Sequence, residues 1–99
     1  MGGPLELNRA VPGGRVEIFA IEDHEYPGDW FYRFQYYEVE DGEILRYDNA
    51  HADEDLGRHH RHVRFGEDSG IEFQNITAHI ARFLQEVAHI SDVDDTNHD

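Results

Sequence analysis

The chain has 99 residues, with eight arginines and no lysine against 22 acids, for a formal net charge of −14. That length holds one domain with a limited core, and the lack of cysteine excludes disulfides, thiolate nucleophiles and cysteine-ligated metals. No apolar run approaches the ~20 residues of a membrane span, and the start has neither the basic nor the apolar region of a signal peptide, so we expect a soluble, cytoplasmic protein that avoids membranes.

Met1 to Gly14 contains four glycines and two prolines and reads as a flexible lead-in. Arg15 to His24, RVEIFAIEDH, is rich in Val, Ile and Phe and predicts a strand. Tyr26-Pro27-Gly28-Asp29 is a turn signal. Trp30 to Glu40 is a long aromatic strand and Glu43 to Ala50 another. Asp41-Gly42 between them is a dipeptide favoured in two-residue hairpin turns. Ala52 to Arg58 reads as a polar loop. His59 to Phe65 could form a further strand, with His60, His62 and Arg64 on one face and His59, Arg61 and Val63 on the other. Gly66 to Gly70 is a second turn, and Ile71 to Phe73 adds a short strand or leads into a helix. In Ile76 to Ile90 the residues Ile76, Ile80, Phe83, Leu84, Val87 and Ile90 fall at helical spacing, with Asn75 placed to cap the N-terminus. The acidic tail, residues 92–99, is expected to be disordered. Residues 15–91 then form a single α+β domain, an antiparallel sheet of about four strands with one C-terminal helix packed on it.

Function points to Arg46–Arg64, RYDNAHADEDLGRHHRHVR. This stretch holds four of the eight histidines (His51, His59, His60, His62) and four of the eight arginines (Arg46, Arg58, Arg61, Arg64). Its four acids balance its arginines, so the whole net charge of −14 lies in the other residues. Histidine titrates near neutrality and can both give and take a proton, and crowding four of them among fixed charges is hard to explain as packing. His24, His79, His89 and His98 read as structural or solvated, with His79 and His89 on the polar side of the terminal helix or a partner surface.

The order of strand, hairpin, YDNAH, short loop, HHRHV, Gly-containing turn and terminal helix resembles the TumE family of toxin-antitoxin proteins. The matching positions are Asp48, Asn49, His51, His59, His60, Arg61, His62 and Val63. The likeness covers roughly Arg15 to Ile90 and is specific from Arg46 to Val63. Where family members often place prolines in the loop, this chain has the acidic ADEDLGR. The resemblance implies a toxin encoded beside a helix-turn-helix antitoxin.

Residue roles follow from chemistry. A metal-independent ribonuclease needs a base for the RNA 2′-hydroxyl, an acid for the departing 5′-oxygen and positive charge on the phosphate. His51, His60 and His62 are the expected proton carriers, with Asp48 fixing a tautomer, and each such transfer is worth ~10²–10⁴-fold. Arg61 and Arg64 could grip phosphate bidentately, with Arg46, Asn49 and His59 also at the substrate. Tyr32, Tyr36, Tyr37 and Tyr47 offer faces for bases, although core and cross-strand packing is the commoner role for any one of them.

Two alternatives stay open. His51, His59 and His62, with Asp48, could ligate a transition metal, although the spacing fits no standard zinc signature. The chain could also be a non-catalytic binding module, and an unpaired sheet edge would allow a homodimer. Acids scattered along a lysine-free chain suggest a halophilic origin, because such surfaces stay soluble in concentrated salt. At molar salt the Debye length falls to about 3 Å, and long-range repulsion of RNA disappears.

Overall fold

The computed structural model describes residues 3–50 and 57–96. Six strands follow one another: β1 (Leu5–Val11), β2 (Gly14–Glu22), β3 (Trp30–Glu38), β4 (Gly42–Asp48), β5 (His60–Val63) and β6 (Ser69–Gly70). They pair in that order, every neighbour antiparallel, as a meander. One helix, α1 (Ile76–Thr96), crosses one face. The α+β architecture with a C-terminal helix is as expected, but the sheet has six strands rather than about four.

The two additional strands lie at the edges. β1 occupies the segment expected to be loose, because Pro12-Gly13 closes a hairpin instead of opening a loop. Val11 pairs with Gly14, and Gly13 takes φ 79°, the positive φ that a Pro-Gly turn requires at its second position. β6 has only two residues, too few to leave a periodic trace. The helix also runs past Ile90 to Thr96, since the stretch after Ser91 contains neither glycine nor proline to stop it.

The hairpin between β3 and β4 has a different turn from the one expected. Glu38 pairs with Gly42 across a three-residue connection, Gly42 has φ 89°, and Ile44 is an extra residue between the pairs Tyr37–Glu43 and Tyr36–Leu45. A bulge of this kind lets two consecutive residues face the same side. Ile44 and Leu45 are accordingly both buried. Beyond the bulge, Leu45 and Tyr47 face α1 while Arg46 and Asp48 lie on the opposite face.

Alternation in β2 and β3 builds the core. Val16, Ile18 and Ala20 lie opposite Tyr36, Phe34 and Tyr32, all buried with Leu45, Tyr47, Phe83 and Val87. The helix contributes the stripe expected from its periodicity, and burying a side chain the size of Phe83 or Val87 stabilises by roughly 1.5–3 kcal/mol. Asn75 caps it: the Ala78 amide donates to Asn75 Oδ1 at 2.8 Å. Tyr32, Tyr36 and Tyr47 are thus core residues, at 0%, 4% and 0% exposure, and present no stacking face to RNA. Among the described residues no helix is long and apolar enough to cross a membrane.

Candidate functional site

Strand β5 sends its residues alternately to two environments. His60 and His62 lie on the sheet face that α1 leaves open, while Arg61 faces the helix, as alternation predicts. Asp48 on β4 pairs with His60, and Arg46 with His62. The period of two therefore gathers Asp48, His60, His62 and Arg46 on one patch of the open face.

Its geometry is specific. His60 Nε2 is 2.7 Å from the Gly57 carbonyl oxygen, which can only accept, so that nitrogen carries the proton. His62 Nδ1 is 2.9 Å from Asp68 Oδ2, which assigns the proton to Nδ1 in the same way. The remaining nitrogens, His60 Nδ1 and His62 Nε2, both turn towards the Asp48 carboxylate, each at 3.8 Å. Two imidazole nitrogens and a carboxylate thus converge on one spot, a geometry that can exchange protons with a substrate or hold a metal ion. One ligand atom from each of Asp48, His60 and His62 lies within 4.8 Å of the others. Asp48 and His60 are 7% and 6% exposed, so water screens their interaction only partly.

Arg46 completes the patch without being free. Its Nε donates to Asp48 Oδ2 at 2.6 Å, and Nη1 donates to both Glu43 oxygens at 3.1 and 3.2 Å. Arg46 and Asp48 form one wall of a depression of about 230 Å³ that also touches Phe31, Arg33 and Ala50.

The other expected site residues are elsewhere. His59 sits on the helix side, its ring stacked on Phe73 with centroids 4.8 Å apart and its Nδ1 2.8 Å from the Tyr32 hydroxyl. It cannot join His62 around a metal, and the candidate ligand set becomes Asp48, His60 and His62. Arg61 faces α1, where its guanidinium and the Tyr47 hydroxyl both bond Glu86. Arg64 is paired with Glu38 at 3.0 Å and donates to the carbonyls of Glu43 and Gly42, bracing the hairpin rather than reaching for phosphate. Asn49 is fully buried. Its Oδ1 accepts from the Tyr32 amide at 3.0 Å and its Nδ2 donates to the Trp30 carbonyl at 2.6 Å, so the side chain continues the strand ladder past Asp48. His51 lies outside the described residues, as does most of the loop that follows it.

A second histidine cluster was not anticipated. His79, expected on a polar surface, is 2% exposed, and its Nε2 lies 2.9 Å from the Tyr32 hydroxyl that also meets His59. Burial lowers the pKa of His79 to about 4, and the nearby His59 and Arg82 groups add to the effect. Burial also lowers that of His59, with Arg58 and His60 contributing, and raises that of Tyr32. Both rings are therefore neutral partners of one hydroxyl. Burial raises the Tyr47 hydroxyl to about 12, helped by Glu86. Burial alone would raise Glu86, but the hydrogen bonds from Arg61 and Tyr47 outweigh it and hold the carboxylate ionised.

Arg33 and Phe31 were missed from the sequence, although the alternation in Phe31, Arg33, Gln35 and Tyr37 against Tyr32, Phe34 and Tyr36 was the signal that could have found them. A family model described as Toxin TumE matches residues 7–91. No curated protein and no solved structure matches the chain.

Proposed function

The chain belongs to the TumE toxin family, and from that premise we propose that it is an RNA-cleaving toxin whose proton transfers run through His60 and His62. The observation that carries the reading is the convergence of two imidazole nitrogens on the Asp48 carboxylate, on the sheet face opposite α1. A toxin of this kind is paired with an antitoxin, which in this reading is a helix-turn-helix protein.

In the reaction one histidine takes the proton of the 2′-hydroxyl as its oxygen attacks phosphorus. The bond from phosphorus to the 5′-oxygen breaks, and the other histidine protonates the leaving oxygen. A 2′,3′-cyclic phosphate and a 5′-hydroxyl result. Asp48 stabilises whichever imidazole is charged, and the Gly57 carbonyl and Asp68 hold each ring in orientation. His51 is a third candidate for proton transfer.

One observation favours a second reading, in which Asp48, His60 and His62 hold a transition metal. Their outer ring nitrogens already have acceptors, the arrangement that orients histidine ligands in metal sites.

The test is RNA cleavage by purified protein with and without EDTA, beside the His60→Ala/His62→Ala double variant. Cleavage that survives EDTA, leaves a cyclic phosphate and is lost in the variant supports the acid-base mechanism. Loss on chelation, restored by added metal, moves the site to the second reading. If no RNA is cut, both enzymatic readings give way to a binding module. The lysine-free acidic composition also supports a saline native medium, so assays belong in molar as well as dilute salt. Equal stability in both would remove that part of the reading.

A further inference from the structure

The open face does not end at the Asp48 patch. It continues across β3 to β1 as a groove of about 490 Å³, and Phe31 and Arg33 line both this groove and the depression beside Asp48. Across the sheet, Phe19 pairs with Arg33, Arg33 with Asp48, and Asp48 with His60. The candidate site and the groove are therefore one row of side chains on one face. At about 4.8 Å per strand, Arg33 stands roughly 10 Å from His60.

Two features distinguish the groove. Arg33 is exposed and makes no ion pair or hydrogen bond with any described residue, whereas Arg46, Arg61 and Arg64 are all held by carboxylates. Beside it, Phe31 meets Phe19 edge-on at 6.2 Å and Tyr26 at 5.2 Å. This ring platform is half-buried and lies outside the core. A cation with no partner among the described residues, next to aromatic faces, matches the chemistry of single-stranded nucleic acid, which presents phosphates and unstacked bases side by side.

We propose that this groove holds the unpaired nucleotides flanking the cleaved bond, with Arg33 on a phosphate and the Phe31 and Phe19 rings against bases. The proposal rests on the RNA reading above and adds its substrate class: single strands, because the bases of a duplex are stacked on each other and cannot reach a phenyl ring. Glu6, directly opposite Phe19, and Glu17, two residues from it on β2, also line the groove and repel phosphate, so the backbone contact falls on the Arg33 side of the rings. Net charge explains why rings rather than more arginines do this work. A chain of −14 binds RNA only where salt screens the repulsion, and there charge contacts weaken while stacking persists.

The experiment measures binding of a fluorescein-labelled single-stranded RNA ten-mer, and of the same sequence as a duplex, from dilute to molar salt. Wild type is compared with Phe31→Ala, Phe31→Leu and Arg33→Gln, and cleavage is followed in parallel. The expected result is single-strand preference and a loss of roughly 5- to 100-fold for Phe31→Ala that persists in molar salt. Arg33→Gln should lower the salt slope by about 0.7, the share of one single-strand phosphate. Photo-crosslinking of wild type to 5-iodouridine RNA should mark Phe31 or Phe19, a readout that does not depend on any variant folding. RNA bound with these dependencies but not cut leaves the groove standing and overturns the nuclease. RNA cut normally by Phe31→Ala and Arg33→Gln overturns the groove and leaves the nuclease. Equal affinity for duplex, or crosslinks confined to other residues, also overturns it and gives this face to a protein partner.

Discussion

The two faces of the sheet hold histidines to opposite ends. Under α1, His59 and His79 share the Tyr32 hydroxyl in a water-poor pocket that keeps them neutral. On the open face, His60 and His62 have their outer nitrogens tied to Gly57 and Asp68 and their inner nitrogens turned to the Asp48 carboxylate. Residues adjacent in sequence thus serve different purposes, and the environment decides which. Density of histidines in a sequence marks a region; only the strand's alternation sorts it into packing and chemistry.

The comparison is most directly broken by rates. Replacing His62, the more exposed of the pair, with Ala should lower RNA cleavage by about 10²–10⁴-fold with little change in the melting curve. A large loss of stability with unchanged specific rate would mean that the open face is structural. The converse test is Phe83→Ala, which removes a fully buried ring from under the helix. It should cost about 3–5 kcal/mol in denaturant unfolding, while the remaining folded protein cuts RNA at the normal rate.

pH sharpens the contrast. His79 has a pKa of about 4 when folded against an ordinary 6.5, so between those values the unfolded chain binds the extra proton. Its contribution is complete above pH 6.5, falls as pH drops towards 4, and then levels off. The expected loss is about 3 kcal/mol, read as denaturant midpoints across that window and flattened in His79→Gln. The smallest change serves as calibration. Asn75→Ala removes only the helix cap and should cost about 1 kcal/mol without touching either cluster, measured by the shift in melting temperature.

Much of this was legible beforehand. The hairpin strands, β2, the helix stripe and Asn75 follow from periods of two and 3.6 and from capping chemistry. Asp48, His60 and His62 were legible because they fall on one face of neighbouring strands. β1 was not, because Pro12-Gly13 looks the same in a loose leader as in a tight turn. Nor could the sequence reveal which polar residues would be drawn inwards. Asn49 and His79 are buried only because their partners, the backbone of β3 and the Tyr32 hydroxyl, arrive from distant segments. Arg64 and Arg61 looked available until Glu38 and Glu86 were seen to hold them.

The contact between Arg61, Tyr47 and Glu86 has a consequence beyond its own stability. β5 is four residues long and pairs on one side with a strand of two, so little backbone holds its position. A slip by one residue would turn His60 and His62 under the helix and bring His59 and Arg61 out. Glu86 receives Arg61 in only one of these two settings, and so works as an indexing pin for the strand. A change at Glu86 would then be felt on the face of the sheet it never touches.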